Sequence, residues 1–149
     1  MTNSTEIKFA SLFETFKEAT KEENIYKHID LTVDGMKVDV KGMKRVNRWD
    51  DKFNPTIHWI EFQNVHGNKG WIYGEADYIA FEQPNEFIMI ERETLLQWCR
   101  EKITDRKLKP KKELYKLYNR PGRKDVISLV LVEDLLKLPH KKISYVEKA

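Results

Sequence analysis

Two runs of alternating residues meet at Asp34-Gly35, and this stretch constrains the fold more than any other part of the chain. From Tyr26 onward, Ile29, Leu31 and Val33 alternate with His28, Asp30 and Thr32. Beyond the Asp-Gly pair, Met36, Val38 and Val40 alternate with Lys37, Asp39 and Lys41. A period of two with one apolar set marks a strand that buries one face. Asp-Gly between two such runs favours a two-residue hairpin turn, because both turn positions need positive φ. That turn sets the partners: Val33 faces Met36, Thr32 faces Lys37, Leu31 faces Val38 and Asp30 faces Asp39. The last is a non-hydrogen-bonded pair, with Cα atoms about 4.5 Å apart.

Like charges directly opposite one another destabilise a hairpin, so this register asks for a compensating cation. Lys41 shares the face of Asp39, and His28 lies opposite Lys41. A divalent ion is the stronger compensator, since two carboxylates supply the hard oxygen ligands that Mg²⁺ or Mn²⁺ prefers. A lysine beside such an ion can orient a water or stabilise charge developing on a phosphate. Asp34 is only a turn residue in this reading.

Around the hairpin the pattern is α+β: a central sheet, mostly antiparallel or mixed, flanked by helices. Phe9, Leu12, Phe13, Phe16 and Ala19 recur at helical spacing and predict a helix over 5–23, capped by Ser4 or Thr5. Residues 44–56 have no sustained period and read as a loop. HWIEFQNV reads as a strand, with Ile60 and Phe62 on one face and Trp59, Glu61 and Gln63 on the other. GWIYG, ADYIAF and EFIMIER read as further strands. A helix over 93–104, a buried strand DVISLVLV and a short helix EDLLKL that stops near Pro139 complete the chain. No repeat or linker divides it, so residues 1–149 read as a single domain.

The chain has 149 residues, 40% of them hydrophobic, which is enough for a core. It contains no apolar run of membrane-spanning length, and the start MTNSTEIK has no secretory apolar stretch. The expectation is a soluble, intracellular, cytoplasmic protein. The single cysteine, Cys99, lies in LLQWC and reads as a core thiol. The four histidines match no zinc spacing, and there is neither a GxSxG motif nor a P-loop.

The formal charge of +3 is unevenly distributed. Residues 100–124 carry eleven Lys or Arg against Glu101, Asp105 and Glu113. In a nucleic-acid-binding reading, Lys109, Lys111, Lys112, Lys116, Arg120, Arg123 and Lys124 contact phosphates, with Tyr115 and Tyr118 interleaved. Lys44, Arg45 and Arg48 follow the hairpin and extend that set, and Trp49 reads as packing or as a wedge.

Asp30, eight intervening residues, then Asp39-Val40-Lys41 resembles the PD-(D/E)xK nuclease superfamily, the restriction-endonuclease-like group that includes many Holliday junction resolvases and phage-type endonucleases. The resemblance implies a restriction-endonuclease-like core. It makes Asp30 and Asp39 metal ligands, with the Val40 carbonyl completing the site, and Lys41 the catalytic lysine. It further implies an acid from the first helix, for which Glu14 or Glu18 stands available, and a polar residue from a neighbouring element, Gln63 or else Glu61. The expected function is a Mg²⁺- or Mn²⁺-dependent endonuclease that hydrolyses DNA phosphodiesters, structure-selective or restriction-type, acting as a homodimer. The alternative is a non-catalytic nucleic-acid-binding or regulatory protein that keeps the fold.

Overall fold

The computed structural model describes residues 3–45 and 52–145. In chain order the elements are α1 (Ser4–Ala10), β1 (Phe16–Glu18), α2 (Lys21–Tyr26), β2 (Leu31–Val33), β3 (Met36–Lys41), β4 (Lys44–Arg45), β5 (Phe53–Asn54) and β6 (Ile57–Gln63). A 3-10 turn (Trp71–Tyr73) follows, then β7 (Tyr78–Glu82), β8 (Glu86–Glu91), α3 (Arg92–Lys102), β9 (Val126–Leu131), α4 (Val132–Leu135) and β10 (Lys141–Ser144). The class is α+β with a mixed sheet and few helices. Backbone contacts group the chain into two compact units, residues 1–43, 75–92 and 139–149 in the first and residues 44–74 and 93–138 in the second.

The first unit is built on a six-stranded sheet ordered β1-β2-β3-β7-β8-β10. All its neighbours are antiparallel except β3 and β7, which run parallel with Asp39 beside Ile79 and Lys41 beside Phe81. The turn is the one the sequence predicts, with φ of 47° at Asp34 and 79° at Gly35. The pairs Val33↔Met36, Thr32↔Lys37 and Leu31↔Val38 follow from it. Leu31, Val33, Val38 and Val40 pack with Phe9, Phe87 and Met89 in one core cluster. The rings of Phe9 and Phe87 meet edge to face at 5.0 Å.

The helix expected over 5–23 is not formed. Two capping boxes start two separate short helices, Asn3 with Glu6 for α1 and Thr20 with Glu23 for α2. Each box satisfies orphan backbone donors at its own helix start. Between them the β-favouring Phe16 and its neighbours pair with β2 as an edge strand. The apolar spacing that looked helical therefore mixes core residues such as Phe9 with the exposed Phe16. The α1 cap is Asn3, one residue before the expected Ser4.

In the second unit β6 pairs with β9 from Ile57↔Leu131 to Gln63↔Val126, and β4 pairs with β5. The loop expected over 44–56 thus begins and ends in a small ladder. The expected strand GWIYG is instead the 3-10 turn: Gly70 approaches β6 so closely that a Cβ there would lie 2.3 Å from the Glu61 carbonyl oxygen. β10 is a strand the sequence pattern gave no reason to expect. The stretch between α3 and β9 is tied down by isolated bridges, Leu114 with Leu129 and Tyr118 with both Lys109 and Ile127.

Candidate metal centre

Asp39 sits where β3 is covered on both sides by β2 and β7, and the residue is 2% exposed. Its Oδ1 pairs with Lys41 Nζ at 3.0 Å, while its Oδ2 is buried with no hydrogen-bond partner. A buried carboxylate oxygen without a partner is costly and rare. The cost appears in its affinity for protons: burial pushes the Asp39 carboxyl well above the usual carboxylate range. Lys41 opposes that shift, and the nearby Asp30 carboxylate adds to it.

Asp30 lies one residue before β2, beyond the last paired residue of the hairpin. Its backbone N–H donates to the Val38 carbonyl at 2.9 Å, and its carbonyl accepts from Ala19 N–H at 3.0 Å, so both neighbouring strands fix it. Its carboxylate replaces the next rung of the ladder. Oδ2 accepts from Val40 N–H at 2.8 Å and Oδ1 from the Asn24 amide at 2.9 Å. Each oxygen keeps a lone pair for another partner. The register argument thus delivers the two carboxylates together, although by a side-chain rung rather than an extended strand. His28 does not join them through the ladder, because the paired residues end at Leu31↔Val38 and His28 turns away with φ of 54°.

The acid that α1 brings near Asp30 is Glu6, which apolar spacing did not single out. Glu14 and Glu18, expected on the first helix, lie outside it: α1 ends at Ala10 and Glu18 is on β1, where it lines the same cavity as Asp30. Glu6 is buried, and its carboxyl is raised first by desolvation and then by the Asp30 charge, with Lys41 acting in the opposite sense. The signal that could have found it is the Asn3-x-x-Glu6 capping pattern, which places the true helix start. A cavity of about 320 Å³, lined by Glu6, Glu18, Thr20, Lys21, Asn24 and Asp30, opens beside this group.

No three His, Cys, Asp or Glu side chains among the described residues converge as a ready-made cage for an ion. The donors present nevertheless suit a small hard cation, since they are all oxygen and one is buried without a partner. Mg²⁺ is commonly held by one or two carboxylates and keeps several waters. Asp30 and Asp39 would hold it, with the Val40 carbonyl and Glu6 as neighbouring oxygen donors.

The other expected site residues belong to the second unit. The Gln63 amide donates to the Lys124 carbonyl at 2.6 Å. Lys44 and Arg45 form β4, and Arg48 and Trp49 lie outside the described residues. Lys109 is paired with Asp105 at 2.7 Å and Arg120 with the buried Asp125 at 2.6 Å, whereas Lys111, Lys112, Arg123 and Lys124 are exposed and Lys116 is half-buried. Tyr115 and Tyr118 do not interleave with them. Tyr118 is buried, and the Tyr115 hydroxyl donates to Asp134 while its ring packs edge to face on Trp98. Both are drawn inward by backbone bonds to β9, Tyr115 N–H to Leu129 and Tyr118 N–H to Ile127.

No family model matches the chain, and no curated protein or solved structure was found to be similar to it.

Proposed function

We propose that the protein is a Mg²⁺- or Mn²⁺-dependent endonuclease acting on DNA, with a restriction-endonuclease-like core formed by the first unit. The observation that carries this reading is Asp39: buried, with one oxygen unpartnered, the Asp30 carboxylate beside it and Lys41 paired to its other oxygen. A fold does not leave a carboxylate in this state for stability. A divalent cation held by Asp30 and Asp39 would supply Lewis-acid polarisation of the phosphate and a water of lowered pKa.

The chain's own groups have distinct tasks. Asp30 is anchored by the Val40 N–H and the Asn24 amide and Asp39 by its place on β3, so the remaining lone pairs of Asp30 and the unpartnered Asp39 oxygen are fixed before any ligand arrives. Lys41, partly exposed, presents its ammonium beside Asp39, where it orients the attacking water and stabilises charge on the phosphate oxygens. Glu6 accepts a proton or a hydrogen bond from a water on the cavity side. The cations of the second unit provide sequence-independent affinity for the phosphate backbone. One site per chain cuts one strand, so cutting both strands takes a homodimer.

The test is incubation with supercoiled plasmid, a four-way DNA junction and RNA in Mg²⁺ or Mn²⁺, beside Lys41→Ala and EDTA controls. Cleavage of a DNA substrate that needs the metal and Lys41 supports the reading. Salt-sensitive DNA binding without cleavage of any substrate would replace it with a non-catalytic nucleic-acid-binding role, and cleavage of RNA alone would move the activity to that substrate.

A further inference from the structure

On β6, His58 and Ile60 point inward and Trp59 between them turns outward, 37% exposed. The indole lies beside the buried Tyr118. Two cations lie against its ring, Lys44 Nζ at 4.5 Å from the ring centre and the Arg120 guanidinium carbon at 5.6 Å. Arg120 is pinned there by Asp125, which accepts from both its side chain at 2.6 Å and its backbone N–H at 3.0 Å. Lys112 is near enough to act with Arg120 on Lys44. Partial burial and these two positive charges lower the Lys44 ammonium's affinity for its proton. Among the described residues, the charges acting on Lys44 are therefore cations, a gathering that an anion would relieve.

We propose that Trp59 is a stacking platform for an unpaired nucleobase, with Lys44, Lys112 and Arg120 holding the phosphates on either side of it. An exposed ring among cations is the arrangement by which proteins hold single strands, the base on the ring and the backbone on the charges. Lys44 is a half-buried but flexible side chain, and on binding it yields its place on the ring to a base and moves to a phosphate. Duplex DNA offers the cations its phosphates but keeps its bases stacked, so the ring contributes little to duplex affinity. The preferred DNA then carries a single-stranded segment. In naming the substrate this inference rests on the nuclease reading, but binding at Trp59 does not require cleavage.

The experiment measures anisotropy of a fluorescein-labelled oligothymidylate of about 15 nucleotides and of a duplex of the same length, in EDTA so that cleavage plays no part. Wild type, Trp59→Ala, Trp59→Phe and Lys112→Gln are compared, with melting curves as a check on folding. Trp59→Ala is expected to weaken single-strand binding by about tenfold and duplex binding by less than about twofold, and Trp59→Phe to recover most of the loss. Lys112→Gln is expected to reduce the salt slope of single-strand binding by roughly one ion. Equal affinities of wild type and Trp59→Ala for the single strand would overturn the proposal, as would an equal loss on duplex. Binding of polyglutamate with the same dependence on Trp59 would also overturn it, since the partner would then be an acidic protein. If the platform behaves as expected and no substrate is cut in Mg²⁺, the nuclease reading fails while this inference stands.

Discussion

Asp39 in the first unit and Asp125 in the second are both almost fully buried, at 2% and 1% exposure, yet the chain treats them differently. Asp125 has both oxygens satisfied by Arg120, one by its backbone N–H and one by its guanidinium. Asp39 has one oxygen on Lys41 and one with no partner, and a second carboxylate nearby. The first arrangement is a closed structural knot. The second leaves a buried oxygen without a partner, a cost in stability that the proposed function accounts for by making Asp39 a metal ligand. The surrounding units differ in the same sense. The first contains 10 Lys or Arg against 14 Asp or Glu, and the second 17 against 10, so acidic and basic side chains are unevenly divided between them.

The sharpest way to break this contrast is to neutralise each aspartate. Asp39→Asn is expected to abolish metal-dependent cleavage, by about 10³-fold or more, while raising the melting temperature of the metal-free protein by roughly 2–4 °C at neutral pH. Asp125→Asn is expected to act in the reverse direction on stability, lowering it by about 2 kcal/mol in urea titrations because the Arg120 bonds are lost. Equal destabilisation by both changes would erase the distinction. Next in size, Lys41→Met is expected to lower the cleavage rate by about 10²-fold with the fold intact by circular dichroism. Glu6→Gln is smaller still and separates two roles. Glutamine preserves the capping box, so stability is kept, while apparent metal affinity, read from the Mg²⁺ dependence of cleavage, falls by about tenfold.

The pH dependence of stability follows from the same groups. Asp39 and Glu6 both have folded pKa values raised above their unfolded ones. The folded state therefore holds more protons, and stability falls as pH rises from the unfolded carboxylate range near about 4 through the raised folded values. Melting temperatures of the metal-free protein across that range are expected to decline, and Asp39→Asn to flatten the decline. The smallest effect tests the turn on which the site depends. Gly35 has φ of 79° with open space around it, so Gly35→Ala is expected to cost about 1 kcal/mol from backbone strain alone, measured by urea unfolding.

The hairpin was legible because its determinants are local. Asp34-Gly35 specifies the turn, the turn specifies the register, and the alternation of Leu31, Val33, Val38 and Val40 specifies the face. The Asp30 and Asp39 carboxylates and the Lys41 side chain came together on that logic. Glu6 was not legible from apolar spacing, because Phe9, Phe13 and Phe16 keep helical intervals across a boundary that only the second capping box at Thr20 reveals. Nor was the inward turn of Tyr115 and Tyr118. Their places are set by bridges to β9, residues far enough along the chain that no local pattern announces them. Trp59, by contrast, was assigned the polar face of its strand from alternation alone, and there it stands. The cations around it come from two distant segments, Lys44 from β4 and Lys112 and Arg120 from the stretch between α3 and β9, so their gathering emerged only with the fold.

The account rests on Asp30 and Asp39 holding a divalent cation, and titration calorimetry with Mn²⁺ tests that most directly. Wild-type protein is expected to bind one ion per chain, and Asp39→Asn and Asp30→Asn to lose that binding while remaining folded. No binding by the wild type, or undiminished binding by Asp39→Asn, would contradict it.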